Sequence, residues 1–176
     1  MKLKKSFKKK FRREFSAGGI VYKTGNEFDS SSILWLVTKA TPSAFFPENY
    51  WRFPKGWLDD AGNGMPGPLA SGAKKATEEE IREAAIREVK EEAGIEARII
   101  KKLGTIKYSF NDKNGYRVLK FVTFYLMKWE CDLPQGFGYE TSEVRWVDKY
   151  EVLSLLANKN EKIFFENFIE SFSNFR

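Results

Sequence analysis

The segment from Thr77 to Gly94 has a start signal, a stop signal and a one-sided stripe, and it commits the centre of this chain to a helix. Thr77 followed three residues later by Glu80 is a capping box, in which each side chain satisfies a backbone N–H at the helix start. Glu78, Glu79 and Glu80 place negative charge at the positive end of the helix dipole. Gly94 supplies the left-handed residue that ends a helix, so the helix is expected over Glu78–Ala93. At roughly 100° per residue from Glu88, Glu92 lies at about 40° and Glu91 at about 300°, within one arc of about 100°. Ile81, Ala84 and Ala85 fall at about 20°, 320° and 60° on the same scale. Three carboxylates therefore continue the stripe that is apolar one turn earlier. A charge-rich helix is ordinarily a solvated face, held by pairs such as Glu83–Arg87. Carboxylates on the core side of a helix repel one another and lose hydration unless a cation compensates. Clustered carboxylate oxygens are hard ligands suited to Mg2+ or Mn2+.

Composition narrows the chemistry further. The chain has 176 residues and no histidine, which removes histidine triads, histidine general bases and histidine metal sites. Its single cysteine, Cys131, excludes an internal disulfide and points to a reducing, cytoplasmic setting. No apolar run approaches the ~18 residues that cross a bilayer. The net charge of +6 is concentrated in residues 1–14, where Lys2, Lys4, Lys5, Lys8, Lys9, Lys10, Arg12 and Arg13 stand against Glu14. Eight minus one is +7, which leaves −1 for the rest of the chain. Residues 1–14 are expected to be a basic, flexible tail able to hold polyanions weakly, or simply a solvated arm. The charges are not followed by the apolar run of ~7–15 residues found in a secretory leader.

Around the helix the chain reads mostly as strands. Strands are expected at Ser16–Tyr22, Ile33–Lys39, Ala97–Phe110, Tyr116–Trp129 and Val144–Val147, with a short strand or turn at Trp51–Gly56. Asn114-Gly115 marks a hairpin turn. Thr24–Ser32 reads as a turn and Thr41–Tyr50 as a loop. Leu58–Ala76, with four glycines and two prolines, reads as the least ordered stretch of the body. Helices are expected at Tyr150–Leu156 and Lys162–Phe172, the latter with Phe164, Phe165, Phe168, Ile169 and Phe172 on one face. This order predicts an α/β fold, a mixed sheet packed between helices.

Arg87-Glu88-Val89-Lys90-Glu91-Glu92-Ala93-Gly94-Ile95 resembles the second half of the Nudix box, R-E-U-x-E-E-x-G-U, with U aliphatic. Glu79 stands where the box also carries glutamate. Gly56, in Phe53-Pro54-Lys55-Gly56, resembles the glycine that opens the box, yet it precedes Glu79 by 23 positions where the box has six, so 17 residues are inserted. Ser16–Tyr22 is similar to the family's first strand, and Glu143-Val144-Arg145-Trp146-Val147 to its E-x-x-W-V signature.

The resemblance to the Nudix (MutT-like) hydrolases implies a Nudix fold over residues 15–176, with a Gly/Pro-rich insertion at about 58–76 that is either a lid or a surface excursion. It implies hydrolysis of a phosphoanhydride in a substrate containing a nucleoside diphosphate, with Mg2+ or Mn2+ as cofactor. It assigns Glu88, Glu91 and Glu92 as carboxylate metal ligands, with the Gly56 carbonyl beside them, and Arg87 as the residue that holds Glu88. The general base stays open between Glu88, Glu140 and Glu143. Trp51-Arg52-Phe53-Pro54-Lys55-Gly56, Lys107-Tyr108-Ser109-Phe110 and Arg117-Val118-Leu119-Lys120 resemble the branch of diadenosine tetraphosphate and diphosphoinositol polyphosphate hydrolases. That branch makes Lys55, Arg117 and Lys120 candidates for contacting phosphates, and Tyr108, Phe110 or Tyr50 for stacking on a base. The expected partner is a small nucleotide, for a monomer or homodimer. Nucleoside triphosphates, inositol pyrophosphates, RNA 5′ ends and a non-catalytic Nudix-fold binding module are the alternatives.

Overall fold

The central helix, α1 (Glu78–Ala93), forms with the expected ends. In this computed structural model, which describes residues 10–25, 33–42, 50–62, 64–112 and 114–173, the Thr77 hydroxyl accepts the Glu80 N–H and the Glu80 carboxylate accepts the Thr77 N–H. Gly94 closes the helix at φ 67°, ψ 34°, and its N–H donates to the Lys90 carbonyl. That left-handed conformation is open to glycine at little steric cost.

Seven strands form one mixed sheet: β1 (Phe11–Thr24), β2 (Ile33–Ala40), β3 (Trp51–Arg52), β4 (Lys55–Trp57), β5 (Ile95–Asn111), β6 (Arg117–Asp132) and β7 (Thr141–Val147). The order along the sheet is β3-β2-β1-β6-β5, with β4 on β1 and β7 on β2. β1 and β6 run parallel, Phe11 opposite Arg117 through Tyr22 opposite Lys128, and the other pairs are antiparallel. Two further helices follow, α2 (Lys149–Leu155) and α3 (Lys159–Ser173). None of the described helices is long and apolar enough to cross a membrane.

Strand alternation assigns the two faces. Ala17 and Val21 of β1 join Ala85, Val89, Tyr125 and Met127 in a core under α1. Ile20 joins Phe53, Phe124, Leu126, Phe165 and Phe168 in a second core under α2 and α3. Trp35 centres that second core, with Phe165, Phe168 and Phe172 edge-on at 5.3, 5.8 and 6.2 Å. The expected aromatic face of the last helix is thus the face that covers the sheet. The architecture is the mixed sheet between helices anticipated above.

Three expectations change. First, β1 begins at Phe11, not Ser16, so residues assigned to the tail are part of the sheet. Glu14 is buried at 2% exposure, where Arg12 (2.8 Å) and the Trp57 indole N–H (3.1 Å) meet its carboxylate. Residues 1–9 of the expected tail lie outside the described residues, as do most of the expected turn at Thr24–Ser32 and the loop at Thr41–Tyr50. Second, Trp51–Gly56 divides into β3 and β4, which pair with different strands. Third, Leu58–Ala76 is tied down along its length. The Asp59 carboxylate accepts the N–H groups of Leu69 (3.1 Å) and Ala70 (2.7 Å), and the Ala70 carbonyl accepts the Phe15 N–H at 2.7 Å. Together with Ile81 and the stacked Phe15 and Phe121 rings, the insertion walls a cavity of about 370 Å3 on the α1 face.

Replacing Thr77 with alanine is expected to cost about 1 kcal/mol in urea unfolding, as loss of an N-cap does. Bonds from Lys74 and Thr77 hold Glu80 down at about 2, against 4.5 for an ordinary glutamate. Its contribution is therefore complete above about pH 4.5 and is lost as pH falls toward 2. Glu80→Gln should be the less stable protein at neutral pH, and its unfolding curve should converge with the wild type's in that acid window.

Candidate active site

Close approach of α1 to β4 builds the site. A Cβ placed on Gly56 would stand 2.1 Å from Glu88 Oε2, so only glycine lets the two elements meet. Arg87 fastens the contact. One guanidinium nitrogen pairs with Glu88 (2.7 Å) and Glu91 (3.0 Å), and the other donates to the Trp57 carbonyl at 2.8 Å. Arg87 and Glu88 are thus in direct charge-assisted contact. Glu88 is 7% and Glu92 3% exposed, whereas the Glu91 side chain is 58% exposed. Burial pushes Glu88 up to about 7, against the pull of Arg87 and with Glu92 and Glu91 adding to the rise. Burial also raises Glu92, opposed by Arg52 and Lys55.

The donor set is all oxygen, which suits Mg2+ or Mn2+. Glu88 beside the Gly56 backbone, with the mobile-length side chain of Glu91 one turn on, fits such an ion. Glu92 is otherwise engaged: one oxygen pairs with Arg52 and the other accepts the Lys55 N–H at 2.8 Å. Among the described residues no three acidic side chains are close enough together to share an ion.

On the α3 side of the sheet the site continues as a set of buried charges. Lys55 Nζ lies 2.9 Å from Glu161, which also accepts the Phe53 N–H at 3.2 Å. Lys120 Nζ lies 3.8 Å from Glu14. Burial, with the Lys55 charge adding to it, brings Lys120 down to about 8. Tyr108 stands opposite Lys120 across β5 and β6, and burial, reinforced by the Glu161 charge, pushes its phenol up. Ser16, 2% exposed, alternates onto this face with Glu14, and its hydroxyl has no partner among the described residues. Lys55, Tyr108 and Lys120 thus lie in one buried cluster.

Arg117 does not join them. It is three positions from Lys120 on β6 and so faces the other side, where it donates to the Ser109 hydroxyl at 2.9 Å. The two distal glutamates separate as well. Glu140 sits in the turn before β7, close enough for its charge to act on both Arg52 and Glu92. Glu143 is held on β7 by Arg145 (2.6 Å) and Lys39 (3.6 Å). Residues that sequence reasoning missed are Glu14, Arg52 and Glu161. Arg52 lies inside the quoted Trp51–Gly56 segment, but the side on which it projects depends on Glu92. Glu161 is 106 positions beyond Lys55 (161 minus 55), and no local pattern links them.

The NUDIX domain family matches residues 12–168 of this chain. A putative mutator protein MutT4 of Mycobacterium tuberculosis is 39% identical over 84 residues, and that match spans 48% of this chain and 34% of the relative. The fold is similar to a C. elegans Ap4A hydrolase in a binary complex (TM-score 0.63, 20% identity, 92% of this chain and 98% of that one). It is also similar to the NUDIX domain of Shewanella oneidensis NrtR complexed with ADP ribose (TM-score 0.61, 15% identity, 96% and 92%). A MutT protein from Methanosarcina mazei Go1 gives a TM-score of 0.60 at 18% identity over 92% of this chain and 96% of that one.

Removing one member of the Lys55–Glu161 pair leaves a buried charge alone. Lys55→Met or Glu161→Gln is expected to cost about 3–5 kcal/mol in denaturant unfolding, and the double replacement by Met at both positions much less than the sum.

Proposed function

Because this chain belongs to the Nudix family, matching its domain from residue 12 to 168, we propose that it is a divalent-metal-dependent pyrophosphohydrolase whose substrate is a dinucleoside polyphosphate of the diadenosine tetraphosphate type. The observation that carries this reading is the cluster of Arg52, Lys55 and Lys120 on one side of the acidic end of α1, with Tyr108 beside Lys120. A substrate with several non-reacting phosphates and a base matches that combination of cations and aromatic ring.

Glu88, Glu91 and the Gly56 carbonyl are the residues that would hold the ion, and Glu92 would join them once Arg52 gives up its Oε1. When bound, Mg2+ or Mn2+ supplies charge neutralisation at the phosphoryl oxygens and a lowered pKa for water. Phosphoryl transfer asks mainly for positioning and electrostatic stabilisation, so the lack of histidine is no obstacle. Lys55 and Lys120 neutralise the phosphates that do not react, and Tyr108 or Tyr50 offers a stacking face. Arg87 keeps Glu88 oriented. Glu88 accepts the proton of the attacking water, and Glu140 is the second candidate for that role, being the distal glutamate whose charge reaches Glu92. Glu143 and Arg117, each engaged elsewhere, take no part.

The test is a mass-spectrometric product screen in oxygen-18 water with Mg2+ or Mn2+ and an EDTA control. Its panel holds dinucleoside polyphosphates, nucleoside triphosphates, nucleotide sugars, inositol pyrophosphates and triphosphorylated RNA. Metal-dependent cleavage of the dinucleoside polyphosphates is expected, with the label identifying the phosphorus attacked. Preferential cleavage of another class sinks the substrate assignment, and binding without any cleavage makes the chain a binding module. Glu88→Gln and Glu92→Gln should each lower kcat/KM by about 10²-fold or more while remaining folded, since loss of a ligand costs at least what loss of its supporting partner does.

A further inference from the structure

Each of the three cations in the site is matched to a carboxylate: Lys55 to Glu161, Lys120 to Glu14 and Arg52 to Glu92. The first two carboxylates lie outside the acidic end of α1 and have second anchors, Glu161 at the Phe53 N–H and Glu14 at the Trp57 indole. Such carboxylates can stay in place while a phosphate binds. Glu92 differs, because it belongs to the set that would hold a metal ion. Its Oε1 is taken by Arg52 and its Oε2 by the Lys55 N–H. An ion brought to Oε1 competes with the guanidinium for that oxygen and repels its positive charge.

Arg52 then loses its anion in a place where it cannot recover one from water. Its side chain is 16% exposed, its Nη1 donates to the Tyr50 hydroxyl at 3.2 Å, and its Nε is buried with no partner among the described residues. A buried guanidinium without an anion is costly, and a phosphate matches its planar fork. Lys55 and Lys120 lie close enough for their charges to be felt in the same cluster. We propose that Arg52 is a positioning residue that exchanges Glu92 for a substrate phosphate, so that metal binding at Glu92 and phosphate binding at Arg52 each promote the other. The inference rests on the reading that Glu92 is a metal ligand and that phosphates bind beside Lys55 and Lys120.

Coupling of this kind is reciprocal, so two binding measurements on the same four proteins test it. The proteins are the wild type, Arg52→Gln, Glu92→Gln and the double variant, each checked for folding by circular dichroism. Free Mn2+ is titrated by electron paramagnetic resonance without nucleotide. Arg52→Gln should tighten Mn2+ by about fivefold or more when Glu92 is present, and by less than about twofold in the Glu92→Gln background. Imidodiphosphate, a pyrophosphate that resists hydrolysis, is titrated by calorimetry in EDTA. Glu92→Gln should tighten it about fivefold when Arg52 is present and leave it unchanged when Arg52 is absent.

A general effect of net charge would tighten each ligand equally in both backgrounds, and that result overturns the exchange. No tightening in any background overturns it as well. If Arg52→Gln does not fold, Arg52→Lys replaces it in the cycle. It keeps the charge but not the fork, and should shift Mn2+ binding in the same direction by a smaller factor. Neither titration depends on turnover, so a failed product screen and a failed exchange are separate results.

Discussion

Glu88 and Gly56 approach so closely that a single methyl group between them would have to move one of two elements. Much of the site follows from that contact. It brings the last turns of α1 against β4, and Arg87 then bridges helix and strand by reaching Glu88, Glu91 and the Trp57 carbonyl together. With α1 seated, Glu92 lies under the Lys55 N–H. With β4 paired to β1 at Ser16–Gly18, the Lys55 side chain passes to the opposite face and reaches Glu161 on α3. One backbone-to-carboxylate contact thus connects the acidic half of the site to its basic half through a strand of three residues.

Burial gives those charges their character. Glu88 resists ionisation because water is excluded around it, not because it lacks a cation, since Arg87 is in contact with it. Lys120 is brought down to about 8 by burial first and by its cationic neighbours second. Groups in such surroundings favour a ligand that brings the missing charge. Carboxylates and ammonium groups share so small a volume because they pair, Lys55 with Glu161 and Lys120 with Glu14.

The parts of this structure written in local sequence are those whose causes are local. The ends of α1 follow from Thr77, Glu80 and Gly94, and the Asn114-Gly115 turn is held by Asp112, which accepts the N–H groups of Asn114 and Tyr116. The aromatic face of α3 follows from spacing alone. Glu14 was indistinguishable from a tail charge because its burial depends on Arg12, Trp57 and Lys120, the last two from distant strands. The insertion reads as the least ordered stretch of the body because of its glycines and prolines, whereas one side chain, Asp59, gathers its backbone. Family resemblance supplied Lys55, Tyr108 and Lys120, yet it offered Arg117 alongside them. Strand alternation separates Arg117 from Lys120 once both are placed on β6. Arg52 and Glu161 became visible only when helix and strand were brought together.

The parallel pairing of β1 with β6 has a consequence for how this chain is made. Phe11 and Arg117, the first partners, are 106 residues apart (117 minus 11). At a synthesis rate of about 5–20 residues per second, β6 follows β1 from the ribosome by about 5–20 s. β2 and β4 arrive much sooner and cover one edge of β1. Its other edge, which pairs with β6 from Phe11 to Tyr22, stays open for that interval. A nascent chain therefore exposes an apolar strand edge that another chain can pair with. Pairing with β6 is what closes that edge.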